Sequence, residues 1–200
     1  APAPGVIFQN LIIMGTAVTE TGGAAPGDIR AYNVVSGKQV WIFHTIPHPG
    51  ETGYETWPKN AWKTAGGANA WAGLSVDNKR GVVYVPTGSP TPDFIGSDRA
   101  GANLFGNSII ALNASSGRRL WHFQAVHHDL WDRDLSSAPA LVTVNDNGQK
   151  RDLLAQASKQ GVIYLLDRDS GEPIFPIEEV PVPASTVPTE HAYPTQPRVT

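Results

Sequence analysis

The 200-residue sequence contains no cysteine and a single methionine. Disulfides and thiolate metal sites are therefore excluded, and without a Cys-x-x-Cys-His run there is no c-type haem attachment. Long hydrophobic runs are also missing. Stretches such as Leu11–Met14 are strand-sized, against the ~18 apolar residues needed to span a bilayer. No basic, apolar, small-residue order at the start reads as a signal peptide. A charge excess of one sign is lacking too: 15 Lys and Arg face 18 Asp and Glu, for a net charge of −3. A chain this near neutral has no electrostatic case for binding nucleic acid. No convincing amphipathic helix can be drawn, because Pro recurs too often between the apolar runs.

Glycine and proline are plentiful, at 20 and 17 residues, above their average combined share of about 12%. That fits many short elements joined by many turns. One pattern occurs three times, at Ala31–Trp41, Ala111–Trp121 and Leu165–Phe175. Each copy is a short apolar strand, an Asn or Asp, a Ser-Gly turn and a second strand ending in a large aromatic. The Gly supplies positive φ at the turn, and the polar side chain bonds the turning backbone. The aromatic is large enough to dock on a neighbouring unit.

The aromatics are spaced by 80 and 54 residues. Short-strand repeats of roughly 40–50 residues suggest propeller blades. β-Branched runs at Gly81–Val85 and Gly161–Leu165 support strands, and Asn145–Gly148 reads as a further hairpin turn. The expected fold is all-β: about three blades of four-stranded antiparallel sheet, at about 4–46, 69–126 and 134–178, within one partial β-propeller spanning 1–200. Residues 179–200 form a Pro-rich connecting segment. Segments 47–68 and 87–103 are long loops, which in a compact fold are usually functional. A propeller closes with roughly four to eight blades. The Pro-rich ends read as cuts through something larger, and the rest of the propeller is an expected partner.

The stretch His127–Asp134 places two histidines, three carboxylates and an Arg within eight residues. Such a set suits a metal or acid/base site. It equally suits a polar loop whose Asp residues cap turns. If the segment is extended, Asp132 and Asp134 share one face.

His127-His128-Asp129-Leu130-Trp131-Asp132, followed by Ser137-Ala138-Pro139-Ala140-Leu141, resembles the pyrroloquinoline quinone (PQQ)-dependent dehydrogenases, in particular the membrane-bound glucose dehydrogenase branch. The likeness continues in Phe43-His44-Thr45-Ile46-Pro47, Ala68-Asn69-Ala70-Trp71-Ala72, Gly101–Ser108 and Lys159–Tyr164. It covers essentially the whole chain, and it implies a β-propeller of roughly eight blades. By this resemblance Asp132 is the catalytic base and also lies at the metal. Asn103 and Glu20 are the further metal-side residues. Trp71 stacks on the quinone, Asn69 lines the same pocket and Lys159 contacts the quinone oxygens. A lone Trp reads as core packing, since aromatics bury large areas; the Asn69-x-Trp71 context shifts the reading to the cofactor. Asp134 matches a position that adds a metal ligand in lanthanide-using alcohol dehydrogenases, although the glucose dehydrogenase branch carries Asp there too. Trp41 and Trp121 read as blade-docking residues.

The implied activity is oxidation of a sugar or alcohol hydroxyl. Hydride passes to a metal-activated PQQ, with Ca²⁺, Mg²⁺ or a lanthanide as the metal, and electrons go on to ubiquinone or a cytochrome c. The implied setting is the periplasm, with any membrane anchor outside this chain. Two other readings stand beside it. One is a non-catalytic propeller scaffold; the other is a fragment of the enzyme that is inactive alone.

Overall fold

A computed structural model describes residues 4–146 and 148–200. The described residues form strands and two single-turn 3₁₀ helices, Tyr54–Thr56 and Ala61–Lys63. The first sheet is an antiparallel meander of β1 (Val6–Phe8), β2 (Leu11–Met14), β3 (Ile29–Asn33) and β4 (Gln39–Phe43). A two-residue strand β5 (Gly66–Gly67) precedes the second meander, which contains β6 (Ser75–Asp77), β7 (Val82–Pro86), β9 (Ser108–Asn113) and β10 (Arg119–Gln124). Between β7 and β9 lies β8 (Pro90–Thr91), which pairs with β5. The third sheet holds β11 (Ala140–Asp146), β12 (Gln149–Ala157) and β13 (Ile163–Asp167). Strands β14 (Ile177–Pro181) and β15 (Thr195–Val199) form a separate ribbon. No helix among the described residues is long and apolar enough to cross a membrane.

Alternation along the middle sheet explains how the sheets stack. Val83 and Val85 of β7, with Ile110 and Leu112 of β9, join Ile13, Ile29, Ala31 and Trp41 in one core layer. Val82 and Tyr84, with Ile109 and Ala111, join Leu154, Tyr164 and Leu166 in another. Successive side chains of a strand point to opposite faces, so the middle sheet is buried on both sides. That is why β7 and β9 read as continuous apolar runs. The innermost strands sit side by side, β1 beside β6 and β6 beside β11, as radially arranged blades require.

The repeated turn explains the spacing of these layers. The Oδ1 atoms of Asn33, Asn113 and Asp167 each accept the N–H groups two and three residues ahead. Gly37, Gly117 and Gly171 follow with φ of +68°, +71° and +78°. The Trp41 ring lies on Gly117 and its Nε1 donates to the Ala114 carbonyl at 3.0 Å. Trp121 repeats the contact one sheet further on, lying on Gly171 and donating to the Arg168 carbonyl at 3.2 Å. A Cβ on Gly171 would stand 2.5 Å from the Trp121 ring, so only glycine admits the docked indole.

The third sheet departs from the four-strand expectation. A fourth strand is reduced to the bridge Leu166↔Pro173 and one bond from the Ile174 N–H to the Leu165 carbonyl, at 2.8 Å. Pro173 has no N–H with which to extend a ladder. The expected turn at Asn145–Gly148 includes Asn147, which lies outside the described residues, as do residues 1–3 of the Pro-rich start. Phe175, the third repeat's aromatic, is 59% exposed.

Candidate active site

Loops from all three sheets meet in a cavity of about 250 Å³. The loop between β2 and β3 supplies Ala17–Glu20, the segment after β5 supplies Asn69 and Trp71, and β8 with its flanks supplies Ser89, Thr91 and Asp93. The third sheet contributes Asp134 and Lys159. Backbone bonds stitch the walls together. Gly27 donates to Gly67 at 2.8 Å, Ala68 to Ser89 at 2.9 Å and Lys159 to Asp134 at 2.9 Å. The Asn69 side chain donates to the Thr16 carbonyl at 3.0 Å, tying two of the loops.

Lys159 organises the centre. Its Nζ donates to Asp132 Oδ2 at 2.7 Å and to Asp134 Oδ2 at 2.9 Å, and it lies 5.6 Å from the Trp71 ring centroid. Trp71 Nε1 donates to Asp134 Oδ2 at 3.0 Å, and the Ser89 N–H donates to Asp134 Oδ1 at 2.7 Å. Asp134 is thus the fixed anchor of the indole and the ammonium. Asp132 has φ +53°, so the segment is not an extended strand, yet both carboxylates reach the same ammonium. Left-handed residues of this kind cluster at functional sites.

Charge is unevenly distributed here. Glu20, Asp93 and Asp134 line the cavity with Lys159 as its cation, and Asp132 joins them through Lys159. Burial would depress the Lys159 ammonium, but its bonds to Asp132 and Asp134 hold it above the usual lysine range. Burial raises the Asp132 carboxyl and Asp134 adds to the rise, against the opposing bond from Lys159. Asp93 is pushed up to about 7, by burial first and then by Asp132, Asp134 and Glu20. It is 6% exposed and makes no hydrogen bond to another described residue.

Five of the sequence-predicted residues, Glu20, Asn69, Trp71, Asp132 and Lys159, therefore come together. Asn103 does not. Its Oδ1 accepts from Arg99 Nη1 at 2.9 Å, contacts His128 Nδ1 at 3.0 Å, and its amide donates to the Arg99 carbonyl. With both ends of the amide engaged and only 1% exposure, Asn103 belongs to a buried polar node and not to the cavity wall. The same node explains the histidines. His128 Nε2 lies 3.3 Å from Glu190, and His127 Nε2 lies 2.9 Å from Glu179, so both tie the loop to the Pro-rich tail. Sequence reasoning missed Asp93 and Arg99; the only signal was their place in the long 87–103 loop.

The donors on the cavity wall are hard oxygens, which suit the cation that the resemblance implies. The excess of carboxylate over ammonium on the cavity wall is a further feature that fits a cation. Among the described residues, the carboxylates of this cavity do not bring three donor atoms within 4.8 Å of one another; only His44, His48 and Glu51 do. Those two imidazoles stack 3.8 Å apart at 10°, so their in-plane lone pairs cannot meet at one ion. Glu51 instead accepts the His48 N–H at 2.7 Å and contacts His44 Nδ1 at 2.9 Å, closing a hydrogen-bonded turn.

Comparison with known proteins gives a consistent picture. The family model for the β-propeller domain of PQQ glucose/ethanol/alcohol dehydrogenases matches residues 1–200. The chain is 38% identical to the quinoprotein glucose dehydrogenase of Gluconobacter oxydans, over 98% of this chain and 24% of that protein. It is also 38% identical to quinoprotein glucose dehydrogenase A of Acinetobacter calcoaceticus, over 90% of this chain and 23% of that protein. The crystal structure of the quinohemoprotein alcohol dehydrogenase from Comamonas testosteroni superposes with a TM-score of 0.76 at 25% identity, covering 97% of this chain and 30% of that one. The chain thus spans about a quarter of the length of the curated relatives it matches.

Proposed function

The chain belongs to the PQQ glucose/ethanol/alcohol dehydrogenase β-propeller family, and on that premise we propose that its parent protein oxidises a sugar or alcohol hydroxyl. The observation that carries this reading is Lys159, whose ammonium joins Asp132 and Asp134 beside the face of Trp71. A scaffold propeller has no need of an ammonium shared by two carboxylates beside an indole.

When bound, PQQ supplies the two-electron redox chemistry and the cation supplies Lewis acidity. Trp71 offers a flat apolar face for the quinone, held by its bond to Asp134. Asn69 fixes the wall beside it. Lys159 offers a positive charge to quinone oxygens, and such a charge stabilises anionic character that develops during reduction. Asp132 takes the proton of the substrate hydroxyl at a carboxylate oxygen. Its position next to Lys159 allows that proton to be held while the ammonium stays charged. Glu20 and Asp132 would be the cation-side carboxylates, hard oxygen donors of the kind Ca²⁺ takes. Ca²⁺ is the favoured ion, with Mg²⁺ or a lanthanide as alternatives. Ubiquinone or a cytochrome c is the electron acceptor and the periplasm the setting. The 200 residues alone do not turn over, because the remaining blades complete the pocket.

The test uses the full-length parent protein reconstituted with PQQ and Ca²⁺. Dye-linked oxidation of D-glucose and 1-propanol is compared for wild type and Asp132→Asn, with PQQ content checked in both. The variant should lose at least a hundredfold in kcat at unchanged PQQ content, in line with removal of a general base. Full activity in the variant would remove Asp132 from its role.

A further inference from the structure

We infer that Asp93 is a substrate-binding residue that selects polyhydroxylated substrates by accepting hydrogen bonds from a hydroxyl other than the one oxidised. This rests on the function proposed above and adds the substrate class. Three observations carry it.

Asp93 lines the cavity at 6% exposure with no hydrogen bond to any described residue. A buried carboxylate in that state is costly unless something in the cavity satisfies it. The Thr91 Oγ1 on the same wall is sealed off, whereas the Asp93 oxygens remain open to the cavity. A carboxylate open to the cavity and unpaired within the described chain is an acceptor suited to sugar or polyol hydroxyls. Thirdly, the carboxylates of the cavity are spread along its walls and do not gather three oxygens within 4.8 Å of one another. That spacing suits a ligand of molecular size touching several walls, and a single ion cannot satisfy all of them.

Discrimination follows from the same chemistry. A site built to hydrogen-bond a hydroxyl rejects the analogue lacking it, because its buried polar groups then stay unpaired. Asp93 also adjoins Phe94 and Ile95, which border an apolar recess shared with Leu130 and Trp131. The carboxylate therefore stands where a polar cavity gives way to an apolar surface, and it keeps the cavity side suited to hydroxyl-rich compounds.

The experiment uses the full-length protein loaded with PQQ and Ca²⁺, as wild type and Asp93→Asn. KM and kcat are measured for D-glucose, glycerol and 1-propanol; if 1-propanol is not turned over, its inhibition constant replaces KM. The half-saturating Ca²⁺ concentration and PQQ stoichiometry are recorded for both. Asp93→Asn should raise KM for glucose or glycerol at least tenfold with kcat changed less than threefold. Its effect on 1-propanol should stay within twofold. Equal loss on all three compounds, an unchanged KM for the polyols, or a raised Ca²⁺ requirement in Asp93→Asn would overturn the assignment, the last by making Asp93 a cation ligand. A wild type that oxidises none of the three compounds would overturn the dehydrogenase reading and this inference with it, whereas an active wild type and an unaffected Asp93→Asn would overturn this inference alone.

Discussion

At the residue scale, side chains differ in how far their sequence neighbourhood discloses their surroundings. Trp71 and Lys159 sit in motifs whose local order signals the site, and the structure places both on one cavity. Asn103 sits in an equally suggestive motif, but its amide is claimed by Arg99 and His128. Nothing in the linear order of Gly101–Ser108 shows that pairing, because His128 arrives from 25 residues away. Asp77 makes the same point for stability. It accepts from Arg80 Nη1 and Arg168 Nη1, both at 3.1 Å, and from the N–H groups of Lys79 and Arg80 at 3.0 Å. Burial raises its pKa, but the Arg80 N–H and the two guanidinium bonds outweigh burial and hold the carboxyl below the usual aspartate range. A depressed folded-state pKa contributes stability above the unfolded value of about 3.9, which is lost as the pH falls through the lower folded value. Asp77→Asn should cost about 3 kcal/mol at pH 7, because it leaves the nearly buried Arg168 without its counter-charge. Urea unfolding of the full-length protein should show that difference shrinking below pH 4.

At the level of elements, the three Asn/Asp-x-x-x-Gly turns were legible because each carries its own chemistry: a side-chain acceptor, then a residue free to take positive φ. The burial of β7 and β9 on both faces was legible as unbroken apolar runs. The fourth strand of the third sheet was not, since Pro173 permits one bridge and no ladder. The tryptophan contacts between sheets lead to a paired prediction. Trp121→Ala should destabilise by about 3–5 kcal/mol, as expected for deleting a buried indole. Gly171→Ala should cost about 1–3 kcal/mol through the Cβ that meets the ring and the positive φ. Thermal unfolding of each variant measures both. A neutral Gly171→Ala would mean that the indole does not rest on that turn.

For the molecule as a whole, the two outer sheets show what the chain leaves open. Gly37, the first repeat's glycine, has nothing within 4 Å of its Cβ direction, while Gly117 and Gly171 each carry an indole. Phe175 at the other end is 59% exposed, and most of β11 faces solvent. Further blades of the parent protein would cover these positions. Phe175→Ala should therefore leave the isolated 200 residues within about 0.5 kcal/mol of the starting stability, and should cost several times more in the full-length protein. The reading as part of a larger propeller was accessible from repeat spacing alone; the cavity was not, since its walls come from all three sheets.

We propose that this cavity is a quinone site organised by Trp71 and Lys159. The most direct measurement is a titration of the full-length apoprotein with PQQ in the presence of Ca²⁺, followed by quenching of tryptophan fluorescence. Saturation should occur at one PQQ per protein, with Trp71→Ala and Lys159→Ala each weakening binding at least tenfold. Equal binding by wild type and both variants would exclude Trp71 and Lys159 as the residues that hold the quinone.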